Sequence, residues 1–115
     1  MSADLDRTLS ALADPTRRAV VELLRTGPHR PSEVASALRT SRPVMSRHLG
    51  VLRSAGLIEQ AFLDEDARGR LVRLRPEPLA DLRGWIAQVE AFWDGQLAAF
   101  KLHAESKARR RGKSR

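Results

Sequence analysis

Small polar and cationic side chains are interleaved with an apolar stripe in residues 40–57, TSRPVMSRHLGVLRSAGL. The stripe has helical spacing, i, i+4 and i+7, at Met45, Leu49 and Leu52. The rest of such a helix is small, polar and cationic, which suits insertion into a DNA major groove. An ordinary amphipathic surface helix has the same stripe, so this segment alone leaves both interpretations open.

Four side chains of this predicted helix have the chemistry for DNA contact. Arg42 and Arg47 can each donate two hydrogen bonds to guanine O6 and N7, although a contact with phosphate alone also suits a guanidinium group. Ser46 is small enough to let the helix approach a base edge or a phosphate. His48 lies at the boundary of the apolar stripe, which favours a structural or phosphate-contacting role.

Three short helices and a tight turn are predicted to position this segment. Leucines recur at helical spacing in residues 5–12, and residues 14–15 (Asp-Pro) then break this first helix and begin the second. Residues 27–28 (Gly-Pro) end the second helix, and a third spans about residues 31–38. Two short helices joined by a turn of about three residues, the second of them cationic, predict a helix-turn-helix.

The sequence pattern changes period after Gly56. Residues 57–63 and 70–75 are short, apolar-rich extended segments, separated by a polar turn that ends in glycine. They predict a β-hairpin, the wing of a winged helix. Arg68 and Arg70 lie at this wing, where they would contact the flanking minor groove or the DNA backbone, or remain solvated at the turn.

The longest predicted helix runs from about Leu79 to His103, about 37 Å if unbroken. It carries more apolar surface than one small domain can cover. We therefore expect it to form a homodimer interface together with the leucines of the first helix. A small-molecule pocket at that interface is an alternative to simple packing. The predicted interface residues are Leu5, Leu9, Leu12, Trp85, Val89, Phe92, Trp93, Leu97 and Phe100.

The formal net charge of +7 is unevenly distributed over the 115 residues. Six of the 21 basic residues lie in residues 107–115, which we expect to form a disordered basic tail after one domain, residues 1–106. Residues 28–56 hold five arginines and one glutamate, whereas residues 76–106 hold two basic and five acidic residues. This polarity predicts a polyanionic partner near the cationic helix.

The sequence lacks the residues that several classes of protein require. The chain has no cysteine, which excludes disulfides, thiolate metal sites and cysteine catalysis. Its three histidines are isolated, and no catalytic triad or glycine-rich phosphate loop is present, so we expect no enzyme, metal site or cofactor. With no signal-peptide pattern and no long apolar run, we expect a cytoplasmic protein without membrane contact.

Three motifs in a fixed order resemble the ArsR/SmtB-type winged-helix repressors of bacteria. They are ADPTRR at residues 13–18, SxPxxSRHLxxLRxAGL at 41–57 and FWDxxL at 92–97. The likeness covers about residues 5–102 and is greatest to the branch that lacks metal-binding motifs. It implies a mainly α fold with a two-stranded β wing, in which N- and C-terminal helices dimerise.

The same resemblance implies a homodimer that binds double-stranded DNA at an inverted-repeat operator and represses transcription, in some cases of its own operon. The DNA contacts it implies fall on Ser41, Arg42, Ser46, Arg47 and His48. The alternative is a winged-helix adaptor that binds another protein, but an adaptor has no need for the positive charge around this helix. The operator sequence and the existence of a small-molecule inducer are left open.

Overall fold

The computed structural model describes residues 3–62 and 69–113, except for the side chains of residues 62, 112 and 113. Within these ranges the chain forms five helices and one antiparallel β-hairpin. In chain order they are α1 (Ala3–Leu12), α2 (Pro15–Leu24), α3 (Pro31–Ala37), α4 (Arg42–Ser54), β1 (Ile58–Phe62), β2 (Arg70–Leu74) and α5 (Glu77–Lys113). The predicted mainly α fold with a two-stranded wing is confirmed.

The chain divides into two compact units, one ending at Leu82 and one beginning at Arg83. The first unit has an apolar core to which α2, α3, α4 and the hairpin all contribute. Burial of each large apolar side chain stabilises such a core by about 1.5–3 kcal/mol. The most deeply buried large side chains are Val20, Val34, Met45, Leu52, Leu57, Ile58 and Val72.

The hairpin is joined to the helices by a short backbone bridge. β1 and β2 pair in the register Gln60↔Val72. His29, in the loop before α3, adds a third backbone segment: its N–H donates to the Val72 carbonyl at 3.1 Å, and the Val72 N–H donates back at 2.8 Å. The wing is thereby held beside the start of α3, and the backbone of a histidine that the sequence analysis treated as isolated has a structural role.

Both helices of the helix-turn-helix end in a left-handed residue, Arg39 after α3 and Gly56 after α4, with φ of 53° and 76°. In each case the following amide donates to a carbonyl five residues earlier, at 2.9 and 3.0 Å, which closes the helix end. Glycine adopts this conformation freely, whereas arginine does so at a steric cost.

The buried face of α1 differs from the predicted one. Leu5, Thr8 and Ala11 face inward, whereas Leu9 is exposed. Thr8 can be buried because its hydroxyl donates to the Asp4 carbonyl at 3.0 Å. Leu12 packs partly against the core. Two of the predicted interface residues, Leu5 and Leu12, are therefore buried or partly buried within one chain, whereas Leu9 is exposed.

The last helix is longer than predicted, since α5 continues from Glu77 to Lys113. Residues 107–113, which we expected to be disordered, are helical. The sequence after His103 contains alanine, glutamate, lysine and arginine, which are strong helix formers, and no proline. Cationic side chains near a helix C-terminus are also favoured by the helix dipole.

Candidate nucleic-acid interface

The helix α4 presents one buried side and a broad exposed side. Met45, Leu49 and Leu52 are its buried residues, as the apolar spacing predicted. The N-cap is Ser41, whose hydroxyl oxygen accepts from the Val44 N–H at 3.4 Å. The exposed side brings together four of the predicted contact residues, Ser41, Arg42, Ser46 and Arg47.

His48 is half-buried at the edge of this exposed side. The guanidinium Nη1 of Arg17 lies 3.4 Å from His48 Nδ1. Because a guanidinium group can only donate, Nδ1 is the acceptor in this contact. His48 therefore links α4 to α2, which agrees with the structural role favoured from its position in the sequence.

The ADPTRR motif forms the junction between α1 and α2. Arg17 Nε donates to the Ala11 carbonyl at 2.7 Å, and Arg18 Nη1 donates to the Leu12 carbonyl at 2.8 Å. These are carbonyls of the last turn of α1, which have no partner within their own helix. Asp14 caps α2 by accepting from the Arg17 N–H at 3.0 Å, and this hydrogen bond lowers the pKa of the Asp14 carboxyl.

The arginines of the first unit fall into two groups. Among its described residues, seven form a hydrogen bond or an ion pair within the chain: Arg7, Arg17, Arg18, Arg25, Arg30, Arg73 and Arg75. No such partner is present in the described part of the chain for the other five: Arg39, Arg42, Arg47, Arg53 and Arg70. All five lie on α4, in the turn before it or at the start of β2.

Three of these five arginines line one groove between α3, α4 and the hairpin. Arg42, Arg53 and Arg70 surround a cavity of about 430 Å³. Ser32, Ser46 and Gln60 add polar groups to the same lining. The positive charge of this groove suits the binding of a phosphate backbone.

Arg53 is not among the DNA contacts predicted from the sequence. It lies three helical turns after Arg42, on the same side of α4, and this periodicity would have identified it. Arg70 is exposed at the first position of β2, opposite Phe62, as the wing prediction required. Arg68 lies outside the described residues.

The helix α5 carries an exposed apolar stripe. Phe92, Trp93 and Phe100 are 69%, 60% and 72% exposed. Val89 and Leu97 are also exposed, and Trp85 is half-buried. Aromatic side chains at this exposure are unusual on a helix with no partner, because each can bury about 150–250 Å².

The residues described by the structure contain no group of three or more histidine, cysteine, aspartate or glutamate side chains arranged to hold a metal ion. Among the described helices, none combines the length and apolarity that a membrane span requires.

Comparisons with known proteins agree with this geometry. A helix-turn-helix domain family model matches residues 12–61. The HTH-type transcriptional regulator Rv2034 of Mycobacterium tuberculosis is 43% identical over 96 residues, which cover 83% of this chain and 83% of that protein.

Two solved structures extend the comparison to the fold. The ArsR family transcriptional regulator RHA00566 is 32% identical, with a TM-score of 0.70, and the match covers 79% of this chain and 91% of that one. The homodimeric winged helix-turn-helix DNA-binding domain of Mb0332 from Mycobacterium bovis is 26% identical, with a TM-score of 0.59, and the match covers 82% of each chain.

Proposed function

Because the chain belongs to the ArsR family of DNA-binding transcriptional regulators, we propose that it represses transcription by binding an inverted-repeat operator as a homodimer. The observation that carries the proposal concerns the described residues of the first unit, whose five arginines without a partner all lie on α4, in the turn before it or at the start of β2. An arginine without an intramolecular acceptor keeps its donors available for a ligand. Double-stranded DNA supplies acceptors both on phosphates and on base edges.

In this proposal α4 enters the major groove and Arg47 donates two hydrogen bonds to one guanine of each half-site. Ser46 and Gly50 lie beside Arg47 on the exposed side, and their small size lets the helix approach the bases. Arg42 contacts a base edge or a phosphate from the first turn of α4.

Arg53 and Arg70 bind the backbone of one DNA strand in the groove between α4 and the hairpin. Their position favours phosphate over base contacts, because both line the groove at the side of α4, Arg53 from α4 and Arg70 from β2. Phosphate contacts fix the orientation of the protein on the duplex and make affinity salt-dependent, whereas base contacts decide which sequence is bound.

The proposed homodimer uses the exposed stripe of α5. The three exposed aromatic side chains of this helix represent about 450–750 Å² of surface that can be buried in an interface. A second copy of the same stripe, related by a two-fold axis, supplies that cover. Two copies would also present two α4 helices to successive major grooves, about 34 Å apart, on an inverted repeat.

The protein-binding adaptor is the competing function. The relatives are named as transcriptional regulators, which supports DNA binding and gives the adaptor no support. The Mycobacterium bovis domain is described as homodimeric and DNA-binding, which supports both parts of the proposal.

The test measures both the oligomeric state of the protein and the DNA sequence that it binds. Duplexes selected from random-sequence DNA by the purified protein are expected to contain an inverted repeat, and the protein is expected to sediment as a dimer at micromolar concentration. Trp93→Glu should yield a monomer, or an unfolded chain, that has lost most of its operator affinity. The matched control is Leu102→Glu, which changes an exposed residue on the opposite side of α5.

Two results would refute the proposal. One is the selection of no common sequence. The other is a folded wild-type monomer that binds a single half-site as tightly as two.

A further inference from the structure

The exposed side of α4 carries two apolar side chains among its polar and cationic ones. Val44 and Val51 are 38% and 41% exposed, and neither belongs to the buried core cluster. They lie three residues before and four residues after Arg47, so both are its neighbours on the helix surface. Together with Arg17 and His48 they line a shallow trough of about 220 Å³.

Valine at such a position has a specific counterpart in DNA. Each base pair presents a distinct pattern of groups in the major groove, and thymine alone among the four bases offers a methyl group there. An apolar side chain gains by covering that methyl group and gains nothing from a phosphate or from the polar edge of guanine, adenine or cytosine.

We infer that Val44 contacts the 5-methyl group of a thymine in the base pair next to the guanine bound by Arg47. The inference rests on the proposed function and adds a second element to its half-site. Val44 and Arg47 are i and i+3 neighbours on the helix surface, with Cβ atoms about 5–6 Å apart. Stacked base pairs are about 3.4 Å apart, so two side chains at this separation can reach adjacent base pairs.

Val44 is assigned this contact in preference to Val51. Val44 lies in the first turn of α4, and the N-terminal residues of a recognition helix are the ones that contact base edges. Val51 lies about two turns later, toward the C-terminal end of α4.

The experiment uses deoxyuridine, which differs from thymidine only by the missing methyl group. The probe is the operator duplex obtained by selection, in which each thymine is replaced singly by uracil. With the wild-type protein, one replacement per half-site should weaken binding about fourfold, the factor expected for the burial of one methyl group. That thymine should lie beside the base pair at which Arg47→Ala loses its preference.

Alanine variants of the two valines show which side chain makes the methyl contact. Val44→Ala should bind the thymine and uracil duplexes equally, whereas Val51→Ala should keep the wild-type fourfold difference. Because both valines are exposed, both variants are expected to melt at the wild-type temperature.

Two results would overturn the inference: indifference of the wild-type protein to every uracil replacement, or an undiminished difference in Val44→Ala. Either result would leave the proposed function intact, provided that the protein still selects an operator. Failure to select any sequence would refute the proposed function itself.

Discussion

The junction between α1 and α2 and the exposed side of α4 are both rich in arginine, yet the side chains are used differently. At the junction, Arg17 and Arg18 donate to the terminal carbonyls of α1. On α4, Arg42, Arg47 and Arg53 donate to no described group of the chain. The difference is set by the acceptors nearby, because a helix C-terminus supplies free carbonyls and the exposed side of a helix supplies none.

This comparison shows which arginines act in folding and which are available to a ligand. Net charge does not separate the two groups, since both raise the local positive potential. The two groups are separated instead by whether each guanidinium has an acceptor among the described residues. The comparison therefore predicts that variants at the junction change stability, and that variants on α4 change DNA binding.

The largest expected effect on stability is that of Arg17→Ala. It removes a charged donor from two carbonyls of α1 and from His48, and should lower the free energy of unfolding by about 1.5–3 kcal/mol. Urea unfolding at one fixed protein concentration measures the loss. The matched control is Arg25→Ala, which breaks only an exposed ion pair with Glu22 and should cost less than about 1 kcal/mol. Equal losses in the two variants would contradict the assignment of Arg17 to folding.

Arg53→Ala is expected to change the salt dependence of binding. Removal of one phosphate contact from each protomer of the dimer should reduce the slope of log affinity against log salt by about 1.8 and weaken binding about 30-fold at 0.15 M salt. The loss should be the same for the operator and for mismatched duplexes. Fluorescence anisotropy across a salt series measures both quantities. A change in sequence preference at constant slope would instead place Arg53 against a base.

Arg39→Gly tests how the left-handed backbone at the turn between α3 and α4 affects stability. Glycine relieves the left-handed backbone, so the variant should gain about 0.5–1 kcal/mol of stability. Arg39→Ala removes the same charge without relieving the backbone and is the control. Thermal melting of both variants separates the conformational effect from the electrostatic one. If Arg39→Ala is stabilised as much as Arg39→Gly, the backbone conformation is not the cause.

The smallest expected effect is the pH dependence due to Asp14. Its pKa is lowered in the folded protein, so its cap contributes stability above the unfolded pKa near 3.8, and this contribution is lost as the pH falls through the folded pKa. Asp14→Ser keeps the cap but does not titrate. Between about pH 5 and pH 3 the wild type should therefore lose more stability than the variant. Parallel pH profiles would show that Asp14 does not contribute in this way.

The helix-turn-helix and the wing could be predicted from the sequence because their signals are local. Ser41, Pro43 and Gly56 mark the ends of α4, and the spacing of Met45, Leu49 and Leu52 defines its buried side. The partners of Arg17 and His48 could not be predicted in this way, because their contact joins residues 31 positions apart.

Two predictions from the sequence are wrong, and each has a specific physical cause. On α1 the leucine pattern suggested one buried face, but Thr8 is buried through a hydrogen bond that the spacing of apolar residues does not reveal. On α5 the run of basic residues after His103 suggested a disordered tail. The helix propensity of the same residues favours continuation of the helix instead.

The most direct test of the central claim compares operator affinity for Arg47→Ala and Arg25→Ala at one salt concentration. Each variant removes one exposed guanidinium from the first unit, but of the two arginines only Arg25 has an acceptor among the residues that the structure describes. For each half-site, Arg47→Ala should lose about 1–3 kcal/mol of binding free energy and its preference at one base pair. Arg25→Ala should stay within about twofold of the wild type, since it removes no direct contact. Unchanged operator affinity in Arg47→Ala, or an equal loss in both variants, would contradict the account.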